Sequence, residues 1–275
     1  LYKSSIVISL FLIFYFRVGW ADIYLWKDSQ GRPHYSDHQN KRSIKLDITP
    51  GYAFQVVKTV YDGDTVLLEN GKKVRLLGIN TPEVETPRKN AEPGGLRAKQ
   101  WLVKQIRGKK VRLEMDINRK DRYRRTLAHI FTTDGRHINV ELVERGLATV
   151  NIYPPNLKYA DRLLDAQTRA ETGSLGIWGK PAYAPILIDH ISNKTRRGWQ
   201  RLIGIPVNIR RGRKFVRLIF SQNFDVRIAS ENRRLFPDLH SYLNKKLEVR
   251  GWVSRRKKNY SVLIRHPSGL VEKGG

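Results

Sequence analysis

Tyr61-Asp62-Gly63-Asp64-Thr65, followed by Val74-Arg75-Leu76-Leu77-Gly78-Ile79-Asn80-Thr81-Pro82-Glu83, is the stretch that decides the fold. Val66, Leu67 and Leu68 run into Asn70-Gly71, a strong hairpin signal, and Val74 to Ile79 return as the second strand. Pro82 stops that strand because it has no amide hydrogen to give a neighbour. A hairpin brings its two ends together. Asp64, at the start of one strand, is therefore expected beside Asn80, Thr81 and Glu83 at the end of the other, with Arg75 between them. Such a cluster of hard oxygen donors suits Ca2+, which accepts carboxylate, amide and carbonyl oxygens with loose angular demands. An arginine beside the ion can hold a phosphate through paired hydrogen bonds. Metal, arginine and a further carboxylate are the parts of a phosphodiesterase. The plain alternative is that Asp-Gly and Asn-Gly are turns and the charges are solvated strand ends.

A third segment, Asp121-Arg122-Tyr123-Arg124-Arg125-Thr126-Leu127-Ala128, weighs against that alternative. With it, residues 55 to about 180 resemble the staphylococcal nuclease (thermonuclease) family, whose motifs D-G-D-T, R-L-x-x-[IV]-D-[TA]-P-E and D-x-Y-G-R-x-L-A occur here in order. The resemblance implies a mainly β fold with helices (α+β): a five-stranded Greek-key barrel of the oligonucleotide-binding (OB) type with three packed helices. It implies a metal held by Asp64, Asn80 and the Thr81 carbonyl, Glu83 as general base, Arg75 and Arg125 as phosphate clamps, and Asp62 as an acid behind the metal ligands. Tyr153, before Pro154-Pro155, would either touch the nucleotide or serve in packing, and Arg122 and Arg124 would add substrate contacts. Two positions depart from the pattern. Asn80 stands where the family has Asp, which removes one negative charge from the site, and ligand charge tunes Ca2+ affinity. Arg124 stands where it has Gly; if that position needs a left-handed backbone, a side chain there costs about 1–2 kcal/mol.

The chain has 275 residues, a formal charge of +27 and no cysteine. The charge calls for a polyanionic partner, and DNA and RNA are the expected ones; no stable protein partner is implied. Without cysteine there is no disulfide framework, thiolate metal site or cysteine nucleophile. Lys3 precedes the apolar run Ile6 to Phe16, and Gly19-Trp20-Ala21 offers small residues for cleavage after Ala21. Residues 1–21 are therefore expected to be an export signal directing the protein to the periplasm or medium. An uncleaved segment would anchor it in the membrane instead.

Residues 22–50 read as a small hairpin module, Ile23 to Trp26 and His34 to Asp37, which resembles a short domain found after signal peptides in exported bacterial proteins. His34 and His38 are expected to flank a turn and face solvent rather than bind a metal. Within the catalytic domain, 54–180, Val84 to Gly95 reads as a mobile loop beside the site and Leu96 to Arg107 as an amphipathic helix with Trp101 in the core. Lys110 to Met115 and Leu127 to Phe131 read as strands, His129 as an ordinary strand residue, and Asn139 as the cap of a helix. Tyr159 to Gly173 is a third helix, and Gly176 to Pro185 a linker.

Residues 185–275 carry 21 Lys and Arg against 6 Asp and Glu. Five short strands, Arg201 to Ile209, Phe215 to Phe220, Val226 to Ala229, Leu247 to Val253 and Tyr260 to Arg265, with a helix near Pro237 to Leu243, follow the order of a second, OB-like barrel. Phe215, Phe220, Phe224 and Trp252 alternate with Arg213, Arg217 and Arg227, as in a single-strand-binding surface, although some of these aromatics must be core. The expected function is an exported Ca2+-dependent nuclease of low sequence specificity. The rival is a binding or surface-attachment protein on the same fold whose nuclease site has decayed.

Overall fold

The computed structural model describes residues 23–46, 53–87, 90–192 and 198–274; the expected export segment lies outside them, as do Arg88 and Lys89 in the loop after the site. Two compact units divide at Tyr52 and Ala53. The first is a small antiparallel sheet of β1 (Ile23–Lys27), β2 (Pro33–Ser36) and β3 (Ile44–Leu46), in the order β2-β1-β3. Its third strand was not expected. Asp28 ties the turn, accepting hydrogen bonds from the amides of Gln30 and Arg32 and from the Arg32 side chain. His34 stacks on Trp26 and His38 pairs with Asp37, so the two histidines serve the turn and the surface rather than a shared metal.

The second unit begins with a closed five-stranded barrel of β4 (Phe54–Val60), β5 (Thr65–Leu68), β6 (Lys73–Leu76), β8 (Lys110–Glu114) and β9 (Thr126–Thr132), in the order β4-β5-β6-β9-β8. The β6–β9 pair is parallel and the others antiparallel, which is OB connectivity. Val57, Val66, Leu68, Val74, Leu76 and Ile130 fill the interior, as the alternation of their strands requires. Helices α1 (Gly95–Ile106), α2 (Ile138–Glu144) and α3 (Ala160–Thr172) pack outside. Ala98, Leu102 and Ile106 seal α1 to the barrel, and Trp101 packs against that core from its edge, half-buried, with the Arg145 guanidinium over its ring.

Three local expectations fail for tertiary reasons. The returning strand does not run from Val74 to Ile79. It ends at Leu76, the chain turns at Gly78 with φ +75°, and β7 (Ile79–Asn80) pairs with β10 (Thr149–Val150) instead. A Cβ at Gly78 would run into Leu163, so glycine answers both the backbone and the space. Asn139 is not the helix cap; His137 precedes α2, and Asn139 is fully buried. Its side chain accepts from the Ile130 amide and donates to the Leu77 carbonyl, both at 2.9 Å, and so ties β9 to the corner ahead of β7. His129 is more than a strand residue. It is buried, 3.1 Å from His137, with the Tyr159 ring against both.

The stretch expected as a linker is packed. Ile177, Trp178 and Tyr183 are buried in a small cluster joined by Trp199. Beyond it, β11 (Ile186–Leu187), β12 (Trp199–Gly204), β13 (Asn208–Arg211), β14 (Phe215–Ser221), β15 (Phe224–Ala229), β16 (Leu247–Arg256), β17 (Asn259–Ile264) and β18 (Leu270–Glu272) form one sheet. Its path is β11-β12-β16-β17-β15-β14-β13, with β18 on β16. The strand expected at Arg201 to Ile209 is broken at Ile205-Pro206-Val207 into β12, which pairs with β16, and β13, which pairs with β14, so the two lie toward opposite ends of that path. The two halves of one bent strand thus bring the sheet round on itself. The expected helix near Pro237 is a pair of 3-10 turns, Ser230–Leu235 and Leu239–Tyr242. Of the aromatics read as a stacking surface, Phe220 and Phe224 are core; Trp252 is 40% exposed.

Candidate active site

Four of the expected residues meet where β5, β6 and β7 converge. Asp64, 6% exposed, accepts from the Thr81 amide at 2.9 Å and from Arg75 Nη2 at 3.0 Å through one carboxylate oxygen. The other oxygen accepts from the Thr65 hydroxyl at 3.1 Å. The same Arg75 Nη2 donates to Asn80 Oδ1 at 3.1 Å, and Arg75 Nη1 holds the Leu76 carbonyl at 2.9 Å. Arg75 is therefore fixed with its guanidinium on the oxygens of Asp64 and Asn80. Asn80 Nδ2 in turn donates to the Thr81 carbonyl at 3.1 Å. Close packing forces the approach: a Cβ at Gly63 would lie 2.6 Å from Thr81 Cγ2 and 2.7 Å from Ala98 Cβ, so only glycine lets the Asp64 turn reach Thr81.

Asp62 lies behind this cluster and accepts from the Asp64 amide at 2.9 Å. Burial first, and the Asp64 charge second, push its carboxyl up to about 6. Glu83 is half-buried, three residues beyond Asn80. Its backbone is pinned by Glu92, whose carboxylate accepts from the Glu83 amide at 3.0 Å and whose own amide donates to the Glu83 carbonyl at 2.9 Å. The segment expected as a mobile loop is thus anchored at Glu92.

Arg125 takes a different place. Its Nε donates to Asp121 at 2.7 Å and its amide to the same carboxylate at 3.0 Å. Burial raises the Asp121 carboxyl, but the Arg125 hydrogen bonds outweigh it and hold the group below its ordinary value. Because Arg75 pairs with Leu127, Arg125 two residues earlier stands on the same outward side of the sheet as Arg75, but among the described contacts it is joined to Asp121 and not to the Asp64 cluster. Arg124 has φ +64°, the left-handed conformation in the turn that presents Arg125. Arg122 and Tyr123 are exposed, stacked on each other and linked by a 2.7 Å hydrogen bond. Tyr153 is 46% exposed, and the Arg265 guanidinium lies 4.4 Å from its ring centre.

The donor set fits a hard cation. Asp64 Oδ2 and Asn80 Oδ1 converge on one nitrogen of Arg75, so both can face one ion, with the Thr81 carbonyl beside them; all are oxygens. The set is poor in charge: among the described residues no group of three His, Cys, Asp or Glu side chains could hold a metal. A cation would also take oxygens that the Arg75 guanidinium now contacts. Sequence reasoning missed two supports of this site: Glu92 on the Glu83 amide, and Thr149, whose hydroxyl donates to the Asn80 carbonyl at 3.2 Å. Thr149 is 69 residues from Asn80, and no local signal marks the contact.

The model of the staphylococcal nuclease homologue family matches residues 73–180. The thermonuclease of Staphylococcus intermedius is 40% identical over 126 residues, covering 45% of this chain and 74% of that protein. The chain belongs to the staphylococcal nuclease family. This nuclease, a hydrolase of phosphodiester bonds, is also 36% identical over 141 residues to the thermonuclease of Staphylococcus hyicus, covering 82% of it. It is 33% identical over 158 residues to endonuclease YncB of Bacillus subtilis, covering 69% of that protein. The family match takes in Arg75, Asn80, Thr81, Glu83 and Arg125 of this nuclease; Asp64 precedes it and is bonded into it through Thr81 and Arg75.

Proposed function

We propose that this protein is an exported, Ca2+-dependent nuclease that cuts DNA and RNA with little regard for sequence. The observation that carries the reading is the convergence of Asp64, Asn80 and Thr81 oxygens beside the Arg75 guanidinium. Asp64, Asn80 and the Thr81 carbonyl would hold the ion, which when bound would polarise the phosphate and lower the charge barrier to attack. Arg75, already fixed at the rim, would meet the charge that grows on the phosphoryl oxygens; losing such a donor costs about a hundred-fold or more. Arg125 would release part of its hold on Asp121 to reach the same ester. Glu83, its backbone pinned by Glu92, would orient a water for in-line attack and take its proton.

These contacts are all to phosphate and water, so base identity matters little, and the +27 charge supplies salt-dependent affinity. The apolar run at Ile6 to Phe16 and the small residues before Asp22 support export. The deciding experiment is plasmid and RNA digestion with Ca2+ and with EDTA. Cleavage with Ca2+ that EDTA abolishes is the expected result. Binding without cleavage under both conditions would leave only the rival, a nucleic-acid-binding protein with a decayed site.

A further inference from the structure

The outward side of the second barrel carries a row that its core does not use. Strand register places Arg217 opposite Arg227 and Arg227 opposite Leu263. The pairing of Val253 with Val262 then sets Leu263 next to Trp252, and Trp252 pairs with Trp199. Their neighbours Leu218, Val226, Val262 and Val253 point the other way into the core, so alternation turns the whole row outward. Trp252 is 40% exposed, a large ring left at the surface beside cationic side chains. Arg227 is held in place by the hydroxyls of Ser261 and Ser254 and lies over Phe215.

This side leads to the nuclease barrel. Trp199, Trp252, Leu263 and Arg265 line one cleft together with Val150 and Asn151. Val150 belongs to β10, which pairs with the strand that carries Asn80, and the Asn151 amide bonds to the Gly78 carbonyl. Arg265 closes the junction by covering Tyr153, and among the described residues it has no carboxylate partner. The two barrels are tied in this arrangement: Arg250 of β16 donates to Glu171 of α3 through Nη1 and Nη2, at 2.7 and 2.8 Å.

We propose that the outward side of the second barrel binds single-stranded nucleic acid and delivers it across this cleft to the catalytic barrel. Trp252 is the platform for an unstacked base, Arg227 and Arg265 contact the backbone, and the Arg265–Tyr153 pair marks the crossing point. An exposed indole offers its plane only to a base whose face is free, which a duplex does not present. The proposal rests on the nuclease reading of the Asp64 site and names the substrate form that site receives.

The test is fluorescence anisotropy with a labelled oligothymidylate and a labelled hairpin duplex, both in EDTA so that nothing is cut. Trp252→Ala should weaken single-strand binding by about ten-fold, the order expected for one lost stacking platform, and duplex binding by less than about two-fold. Trp252→Phe should restore most of the affinity. Arg265→Gln should weaken binding and lower the slope of log affinity against log salt by about one. Single-strand affinity unchanged in folded Trp252→Ala and Arg265→Gln, or equal losses for strand and duplex, would overturn the proposal. The nuclease reading fails separately: wild type that binds both oligonucleotides in EDTA yet leaves DNA and RNA uncut when Ca2+ is supplied removes that reading and leaves the binding result standing.

Discussion

Glu248→Gln should destabilise the second barrel by roughly 3–5 kcal/mol, the range for breaking one side of a buried ion pair. Glu248 is fully buried in β16. Its carboxylate accepts from Arg201 Nε and Nη2 at 2.7 and 3.0 Å, from Arg250 Nε at 2.7 Å and from Lys273 Nζ at 2.9 Å. Glutamine keeps the shape but removes the charge that faces Arg201 and Arg250, 13% and 9% exposed, and leaves Glu171 as their remaining carboxylate. The same contacts set a pH dependence. Burial alone would raise the Glu248 carboxyl, but the Arg201 hydrogen bond and the Arg250 charge overcome it and bring it down to about 2 from 4.5. At about 1.4 kcal/mol per unit this difference contributes on the order of 3 kcal/mol. Because the folded value is the lower one, that stability is fully present above pH 4.5 and is lost as pH falls toward about 2.

The assay is urea denaturation followed by far-UV circular dichroism at pH 7 and at steps down to pH 3. With a slope of about 1–3 kcal/mol per molar urea, the substitution should move the midpoint of the second barrel by 1 M or more, and the variant should lose part of the wild type's acid sensitivity. A midpoint shift under about 0.3 M would refute the reasoning, since the four donors would then have found equal partners without the charge.

Arg124→Gly relieves a side chain from a φ of +64°, worth about 1–2 kcal/mol, against a loss of about 0.4–1 kcal/mol through the looser unfolded chain; a thermal melt should show a small net gain. Asn139→Ala orphans the buried Ile130 amide and Leu77 carbonyl and should cost about 2–3 kcal/mol, read by chemical denaturation. His129 and His137 are buried side by side, and burial lowers them to about 4 and about 3 from 6.5. Both stay neutral while the unfolded chain takes up protons, so stability is fully present above pH 6.5 and falls as pH drops toward 4. Denaturant midpoints at pH 7.5 and 5 should show this decline, and His137→Phe should reduce it.

Much of the fold was legible because its signals are local. Asn70-Gly71 fixes its turn through its own backbone preference, and Pro82 ends pairing wherever it stands. The family resemblance carried the OB fold of the first barrel, and the order of short strands after Pro185 pointed to an OB-like path, which the C-terminal sheet follows. Most of the errors involve partners distant in sequence. Val74 to Ile79 alternates as one strand, and only Thr149 and Leu163, packed on β7 and Gly78, show why it breaks. Asn139 has the composition of a cap, yet two carbonyl and amide groups elsewhere claim its side chain. Pro206, inside the strand expected from Arg201 to Ile209, separates β12 from β13. At the site, Asp64, Arg75, Asn80 and Thr81 lie together, as the motif order leads one to expect of their positions. Nothing in the D-R-Y-R-R segment indicated that Asp121 would hold Arg125 at 2.7 Å.

Calcium titration by calorimetry, without substrate, tests the centre most directly in wild type, Asp64→Asn and Asn80→Asp. The account requires one Ca2+ per wild-type chain, no measurable binding once the Asp64 charge is gone, and tighter binding when Asn80 gains one. Equal affinity in wild type and Asp64→Asn, or no gain from Asn80→Asp, would contradict it.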